Sequence, residues 1–462
     1  MEIPDNTSAM WTRRDWLQMT GAAALPAPAR GRRPNIVFIL ADDLGYGDLG
    51  VYGHSFHQTP NLDRLAAKGV RFTDFVVSWP ACTPSRGSIL TGRYPQRNGL
   101  YDMIRNNEVN YGYQFTEETY AVSPEMTLGL DLREITIGQI LKKAGYATGL
   151  VGKWDSGRAR RFLPLQRGFD FFYGFANTGI DYYTHERYGI PSMFRGNERI
   201  KEQGHATDLF LRESLRFIQE NRQRPFFLYL SFNAPHSAST FDKKAPQVPE
   251  EYLKRYPSLP AEKALYPALI TQMDEAIGKL LEELRKLGLE ENTLIFFTSD
   301  NGGPGSGRNG VLRGRKAQMF EGGIRVPAIA RWPGRIPEGK TITDFTSTLE
   351  LFPTFLTAAG ASPPTGVKLD GFNMLPVLEG KARSSRTEFF WQRQGDKAAR
   401  VGQWKWVESQ AGSGLFDLST DLPEKNDLSA QKPDVLKKVK ERWLAWRKEM
   451  DDSEPRGPFR DY

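Results

Sequence analysis

Asn35-Ile36-Val37-Phe38-Ile39-Leu40, closed by Ala41-Asp42-Asp43, is the stretch that sets the fold. Its apolar residues run together without the polar alternation of a half-exposed strand, so it reads as a strand covered on both faces. Phe226–Phe232 after Pro225 and Leu294–Thr298 repeat the pattern, and Gly149-Leu150-Val151 is a shorter version. Between them lie segments of helical character: Asn61–Lys68, Ile137–Ala144, Thr207–Gln219 and Ala268–Leu287. Gly69, Gly145 and Gly288 follow three of these, at the position where a left-handed residue ends a helix. Strands alternating with helices imply an α/β fold, a large mostly parallel or mixed central sheet flanked by helices.

After about residue 375 the pattern changes. Glu388-Phe389-Phe390-Trp391, Trp404-Lys405-Trp406-Val407 and Leu415-Phe416-Asp417-Leu418 are short alternating segments parted by turns, as in an antiparallel sheet. Pro433–Lys448 carries Val435, Leu436, Val439, Trp443, Leu444 and Trp446 on an amphipathic helix. The expected division is a large domain over 30–375 and a small C-terminal α+β subdomain over 376–462.

The chain has 462 residues, 39% hydrophobic and 25% charged, which are globular values and enough for a substantial core. Sixty-two Lys and Arg against 55 Asp and Glu leave +7, spread without a basic block, so nucleic acid is not an expected partner. No run of 18 apolar residues is present to span a membrane. Cys82 is the only cysteine, which rules out an intrachain disulfide. Residues 1–29 read as an export signal: Thr12-Arg13-Arg14-Asp15-Trp16-Leu17 is a twin-arginine pattern, and Ala27-Pro28-Ala29 is a small-x-small cleavage site. The expected location is periplasmic or extracellular in a bacterium.

Three of the strand-like runs end in residues suited to chemistry: Asp42-Asp43, Asn233-Ala234-Pro235-His236, and Asp300-Asn301-Gly302-Gly303. Adjacent carboxylates repel and are usually held together by a cation. Asp42, Asp43, Asp300 and the amide oxygen of Asn301 make four hard oxygen donors, which suit Ca²⁺ or Mg²⁺ rather than zinc. Asp-Asp and Asp-Asn-Gly-Gly also serve as plain turn residues; finding both at strand ends weighs against that.

Cys82-Thr83-Pro84-Ser85-Arg86, followed by Leu90-Thr91-Gly92-Arg93, resembles the Cys-x-Pro-Ser-Arg signature of type I sulfatases of the alkaline phosphatase superfamily. The similarity runs from residue 34 to about 425 and looks closest to the arylsulfatase and N-acetylgalactosamine-sulfatase branch. It implies an alkaline-phosphatase-like sheet and a sulfuric ester hydrolase acting on a sulfate monoester, expected on a carbohydrate. It also implies that a maturation enzyme oxidises Cys82 to Cα-formylglycine. One hydroxyl of the hydrated aldehyde attacks sulfur, and the other collapses to the carbonyl and expels sulfate. By the same resemblance Arg86 stabilises the formylglycine, and Lys153 and Lys316 contact sulfate oxygens. His236 stands near the leaving oxygen, and position 82 joins the four oxygen donors around the cation.

One position departs from the family. Gly152-Lys153-Trp154 is normally followed by histidine, and here Asp155 follows. Three readings stay open: Asp155 serves as the base, another residue such as His185 takes the place, or turnover is impaired. Tyr111, Tyr113, Tyr182 and Tyr183 are candidates for a carbohydrate subsite, with ordinary surface loops as the alternative. Two other functions also remain: a phosphoester or phosphonate hydrolase using the same site, and a non-catalytic module that binds sulfated glycans.

Overall fold

The covering of both faces of the Ile36–Leu40 run is visible in the computed structural model, which describes residues 33–106, 113–242, 245, 247–305 and 309–457. The export-signal reading of residues 1–29 and the subsite reading of Tyr111 lie outside the described residues. Strands β1 (Asn35–Asp42), β2 (Val70–Phe72), β3 (Ala147–Lys153), β4 (Phe171–Phe175), β5 (Met193–Arg195), β6 (Glu198–Arg199), β7 (Phe226–Pro235), β8 (Thr293–Ser299), β9 (Ala328–Arg331) and β10 (Lys340–Ile342) form one sheet. Their order is β10-β2-β9-β8-β1-β7-β3-β4-β5-β6. The five central strands, β8 to β4, are parallel, while β9 and β5 run antiparallel to them, so the sheet is mixed.

Period-2 alternation divides β1 between two buried layers. Ile36, Phe38 and Leu40 pack with Leu141 and Phe355 on one face; Val37, Ile39 and Ala41 pack with Leu65, Phe210 and Ile270 on the other. Each fully buried large apolar side chain contributes about 1.5–3 kcal/mol, so both faces favour this register. The covering helices are α1 (Pro60–Ala67), α2 (Cys82–Thr91), α3 (Ile137–Lys143), α4 (Ala206–Asn221), α5 (Ala261–Lys286) and α6 (Leu351–Ala358). None among the described residues is long and apolar enough to cross a membrane.

Register determines where the site lies. Ala41 pairs with Ser299 of β8, Asp42 with Pro235 of β7, and Gly152 of β3 with Ser231. Asp42, Asp300, His236 and Lys153 therefore all lie at the carboxyl edge of four adjacent strands, where open α/β sheets bind ligands.

In the C-terminal part, β11 (Glu388–Arg393), β12 (Asp396–Val401), β13 (Trp404–Ser409) and β14 (Gly412–Asp417) form an antiparallel meander covered by α7 (Pro433–Asp452). Trp443, Trp446 and Val439 form the buried face of α7. The strand β12 was not legible in the sequence, and α5 begins at Ala261 rather than Ala268.

Candidate active site

The carboxylates come from two neighbouring strand ends. Asp42 closes β1, and Asp43 follows in the left-handed region at φ 67°, so the chain reverses and the Asp43 amide donates to Asp300 Oδ1 at 3.2 Å. Asn301 Nδ2 donates to Asp43 Oδ1 at 2.8 Å, whereas Asn301 Oδ1 is buried with no hydrogen-bond partner among the described residues.

Helix α2 delivers the cysteine. All ten of its residues are buried, so what they touch is protein rather than water. Cys82, its first residue, is fully buried, with Sγ 3.2 Å from Asp42 Oδ1, 3.8 Å from Asp43 Oδ1 and 3.3 Å from Lys316 Nζ. One turn on, Arg86 Nε donates to Asp300 Oδ2 at 2.8 Å; its Nη1 donates to Ser231 Oγ at 2.6 Å and to the Lys153 carbonyl at 3.3 Å. Ser231 is a hydroxyl inside an apolar strand, a signal present in the sequence itself.

Lys153 ends β3, and its position depends on Gly152. Gly152 has φ 101°, and a Cβ there would lie 1.8 Å from the Ser231 carbonyl. Lys153 Nζ lies 2.7 Å from Asp42 Oδ2, and Lys316 Nζ lies 2.7 Å from Asp43 Oδ1. Asp42 therefore faces two cations, Lys153 and, at 3.6 Å, Arg86, which also pairs with Asp300 at 2.7 Å.

These surroundings shift protonation. Burial pushes Asp42 up to about 7, against the pull of Lys153. Burial acts on Asp43 in the same sense, but Lys316, His236 and Asn301 overrule it and hold this carboxyl below the ordinary range. Burial, with Asp300 and Asp42, drives the Cys82 thiol well above 9.0 despite the two lysines. An unmodified Cys82 is therefore a neutral thiol and a poor nucleophile. Burial also brings His236 down to about 3, with Asp43 opposing. His236 Nδ1 donates to the Ser237 carbonyl at 2.6 Å, which leaves Nε2 as the free nitrogen, 3.8 Å from Asp43 Oδ2.

Asp155, the departure from the family, sits two residues past β3 at φ 51° and is buried. Its Oδ1 accepts from Thr83 Oγ1 at 2.9 Å, and its Oδ2 lies 3.6 Å from Lys153 Nζ. Burial raises its pKa, opposed by Lys153 and Arg86. The aspartate is therefore linked to the residue next to Cys82 and to Lys153. His185 Nε2 donates to the Gly204 carbonyl at 2.9 Å, and its Nδ1 is buried with no hydrogen-bond partner among the described residues.

The tyrosine readings divide. Tyr182 is fully buried, and its hydroxyl bonds the carbonyls of Asn233 at 3.0 Å and His236 at 2.9 Å. It braces the turn that presents His236 and offers no face to a sugar, which corrects the subsite expectation. Tyr183 packs edge-on against His205, and Tyr113 is exposed against Phe115.

The donor set fits an oxygen-liganded cation. Ligand atoms of Asp42, Asp43, Cys82 and His236 lie within 4.8 Å of one another, and the buried Asn301 oxygen has no hydrogen-bond partner among the described residues. Carboxylates and an amide oxygen favour a hard divalent ion.

A family model described as Sulfatase matches residues 34–361, and one described as N-sulphoglucosamine sulphohydrolase, C-terminal, matches residues 314–449. The chain belongs to the sulfatase family and is a sulfuric ester hydrolase with the alkaline-phosphatase-like fold. It is 36% identical to N-acetylgalactosamine-6-sulfatase of Canis lupus familiaris, over 85% of this chain and 76% of that one. It is 34% identical to arylsulfatase A of Homo sapiens, over 88% and 82% of the two chains. The solved structure of Ps i-CgsB in complex with k-i-k-neocarrahexaose matches with a TM-score of 0.80 at 32% identity, covering 90% of this chain and 93% of that one.

Proposed function

We propose that this sulfatase removes sulfate from a carbohydrate, using a Cα-formylglycine made from Cys82 and a divalent cation, Ca²⁺ or alternatively Mg²⁺. The observation that carries the reading is the setting of Cys82. The chain's only cysteine stands at the head of a buried helix, among three carboxylates, two lysines and an arginine. Kinship with two named sulfatases, and with a structure holding an oligosaccharide, supports the carbohydrate substrate.

Hydrated formylglycine at position 82 would supply one hydroxyl to attack sulfur as the alcohol leaves, and a second whose deprotonation re-forms the aldehyde as the C–O bond to sulfate breaks. Asp42, Asp43, Asp300, Asn301 and position 82 would hold the cation, which would supply positive charge to the site and acidify a hydroxyl there. Lys153 and Lys316 take sulfate oxygens; losing one such preorganised donor costs about 2.7–4 kcal/mol of barrier. Arg86 is tied to Asp300, Ser231 and the Lys153 carbonyl, so it acts as a fixed charge beneath position 82. His236 Nε2 is the proton donor to the leaving oxygen, and an adjacent sulfate anion favours its protonated form. Asp155 takes the proton whose loss releases sulfate.

Because Cys82 is wholly buried, the maturation enzyme must act before the fold closes. If Arg13-Arg14 direct export of the folded chain to the periplasm or beyond, conversion precedes export.

Two measurements test the reading. Matched sulfate and phosphate esters of one alcohol should be hydrolysed with sulfate preferred; preference for phosphate overturns it. The tryptic peptide holding Cys82, from a host with the maturation enzyme, should be lighter by about one water. An intact thiol in an active preparation excludes formylglycine.

A further inference from the structure

His205 is buried at the N-cap of α4, where its imidazole takes the place usually held by a serine or aspartate side chain. Its Nδ1 accepts from the Thr207 amide at 3.2 Å and from Gln272 Nε2 of α5 at 3.0 Å, while its Nε2 donates to the Gln247 carbonyl at 3.2 Å. Two donors at one nitrogen and a carbonyl at the other fix a single neutral tautomer, with the proton on Nε2. The ring also stacks on Tyr182, 5.0 Å between centres and 15° from parallel. Tyr182 is the residue whose hydroxyl bonds the Asn233 and His236 carbonyls. One uncharged imidazole thus joins α4, α5 and the turn that presents His236.

We infer that His205 is an acid-sensitive joint: neutral, it caps α4 and backs the Tyr182 brace, and protonated, it uncaps α4 and rearranges the packing behind Tyr182. A proton on Nδ1 faces two N–H donors. Gln272 can answer by turning its amide over, because its Oε1 is buried with no hydrogen-bond partner among the described residues. That turn gives Nδ1–H an acceptor and forfeits the 3.3 Å bond from Gln272 Nε2 to Asp208 Oδ1. The Thr207 amide has no such remedy, and the new cation stands at the positive end of the helix dipole. Asp208 on α4 and Asp181 on the Tyr182 loop favour the cation, and His185 on that loop opposes it; α5 and the Gln247 segment offer the neutral amides of Gln272 and Gln247. Burial, with His185 in the same sense, lowers the His205 pKa below the ordinary 6.5 against the Gln247 carbonyl, Asp208 and Asp181. The stability held by this joint is therefore complete above about pH 6.5 and is lost as the pH falls below it.

The test is urea unfolding of the full chain at about pH 7.5 and about pH 5, wild type beside His205→Asn, whose amide oxygen caps a helix without titrating. On acidification the folding equilibrium constant of wild type should fall about fivefold or more beyond the fall in the variant, the worth of one N-cap. An equal fall in both overturns the joint. Nitrogen NMR of wild type labelled at histidine needs no variant: His205 should carry its proton on Nε2 at about pH 7.5, and a proton on Nδ1 there overturns the joint as well. Both readouts are independent of turnover. The link to His236 rests on the sulfatase reading. Between about pH 7.5 and 4.5 the matured wild type should lose kcat on an alkyl sulfate, relative to 4-nitrophenyl sulfate, about twofold more than the variant, and an equal loss overturns that link. Wild type inactive on both esters removes the sulfatase reading instead, while unfolding and NMR still decide the joint.

Discussion

Asp155→Asn separates charge from shape at the position where this chain leaves the family pattern. Asparagine keeps an oxygen to accept from Thr83 Oγ1, now at 2.9 Å, so packing around the buried side chain is retained. What disappears is the Oδ2 charge, 3.6 Å from Lys153 Nζ, and the capacity to take a proton. A positioned general base is worth about 10²–10⁴-fold in rate, and kcat should fall by that amount. The KM effect has the opposite sense. One charge at that separation interacts with Lys153 by about 4–5 kcal/mol at an effective dielectric near 20, an upper bound, so removing it frees the lysine for sulfate and should lower KM. A base works deprotonated, so the wild-type rate rises as pH climbs through the Asp155 pKa, which burial lifts above 3.8 against Lys153 and Arg86. The asparagine variant should lose that acidic limb. The assay is kcat and KM on 4-nitrophenyl sulfate between about pH 4 and 9, with Asp155→His in parallel; histidine should restore turnover with a limb nearer 6.5. Asparagine turnover within about twofold of wild type at every pH, with the limb unmoved, refutes the assignment.

Asn301→Ala removes the buried amide oxygen, and calorimetric Ca²⁺ affinity should drop about 10–100-fold or more, while Asn301→Asp should retain binding. Chelation of the wild-type enzyme should abolish hydrolysis and added Ca²⁺ should restore it. Tyr182→Phe leaves the Asn233 and His236 carbonyls short of a donor, at a cost of about 1–3 kcal/mol, so kcat should fall more for esters of poorly acidic alcohols than for the aryl ester. An equal fall for both removes Tyr182 from the support of His236. Lys405→Met removes the ammonium shared by two buried carboxylates, Glu321 and Glu424, each 2.8 Å from Lys405 Nζ; Glu321 keeps Arg325 but Glu424 loses its ion pair, which should destabilise the fold by about 3–5 kcal/mol by denaturant melting.

The central strands were legible because cover on both faces replaces alternation with a plain apolar run, and because Asp42, Asp300 and His236 stand at its ends. Strand β12 escaped because its core positions are Ala398 and Ala399 between Lys397 and Arg400, which carry little β signal. Arg400 is there because it pairs with Asp74 through both nitrogens at 2.7 Å, a long-range partner invisible in the chain text. Helix α5 was cut short at Ala268 because Pro267 reads as a breaker. In the fold the proline is buried with Ala264, Tyr266 and Ala268, and packing outweighs one missing N–H. The motif supplied Cys82, Arg86, Lys153, His236 and Lys316 as types. The structure adds that Thr83 and Ser231 hold two of the charged side chains around them. Tyr182 misled because aromatic residues in a polar loop look alike whether they face sugar or a backbone turn.

The seam between the two sheets has a consequence for how such a sequence can change. Lys405, in the second strand pair of the C-terminal meander, reaches Glu321, five residues beyond Lys316, and Glu424 Oε2 accepts from the Glu321 amide at 2.6 Å. Arg313, three residues before Lys316, donates to the Glu424 carbonyl at 3.0 Å. The loop bearing an anion-gripping lysine is thereby laced on both sides to a module that contributes no reactive group of its own. A chimera that imports a foreign C-terminal meander must bring a matching partner for Glu321, or it inherits a reactive centre whose clamp has come loose.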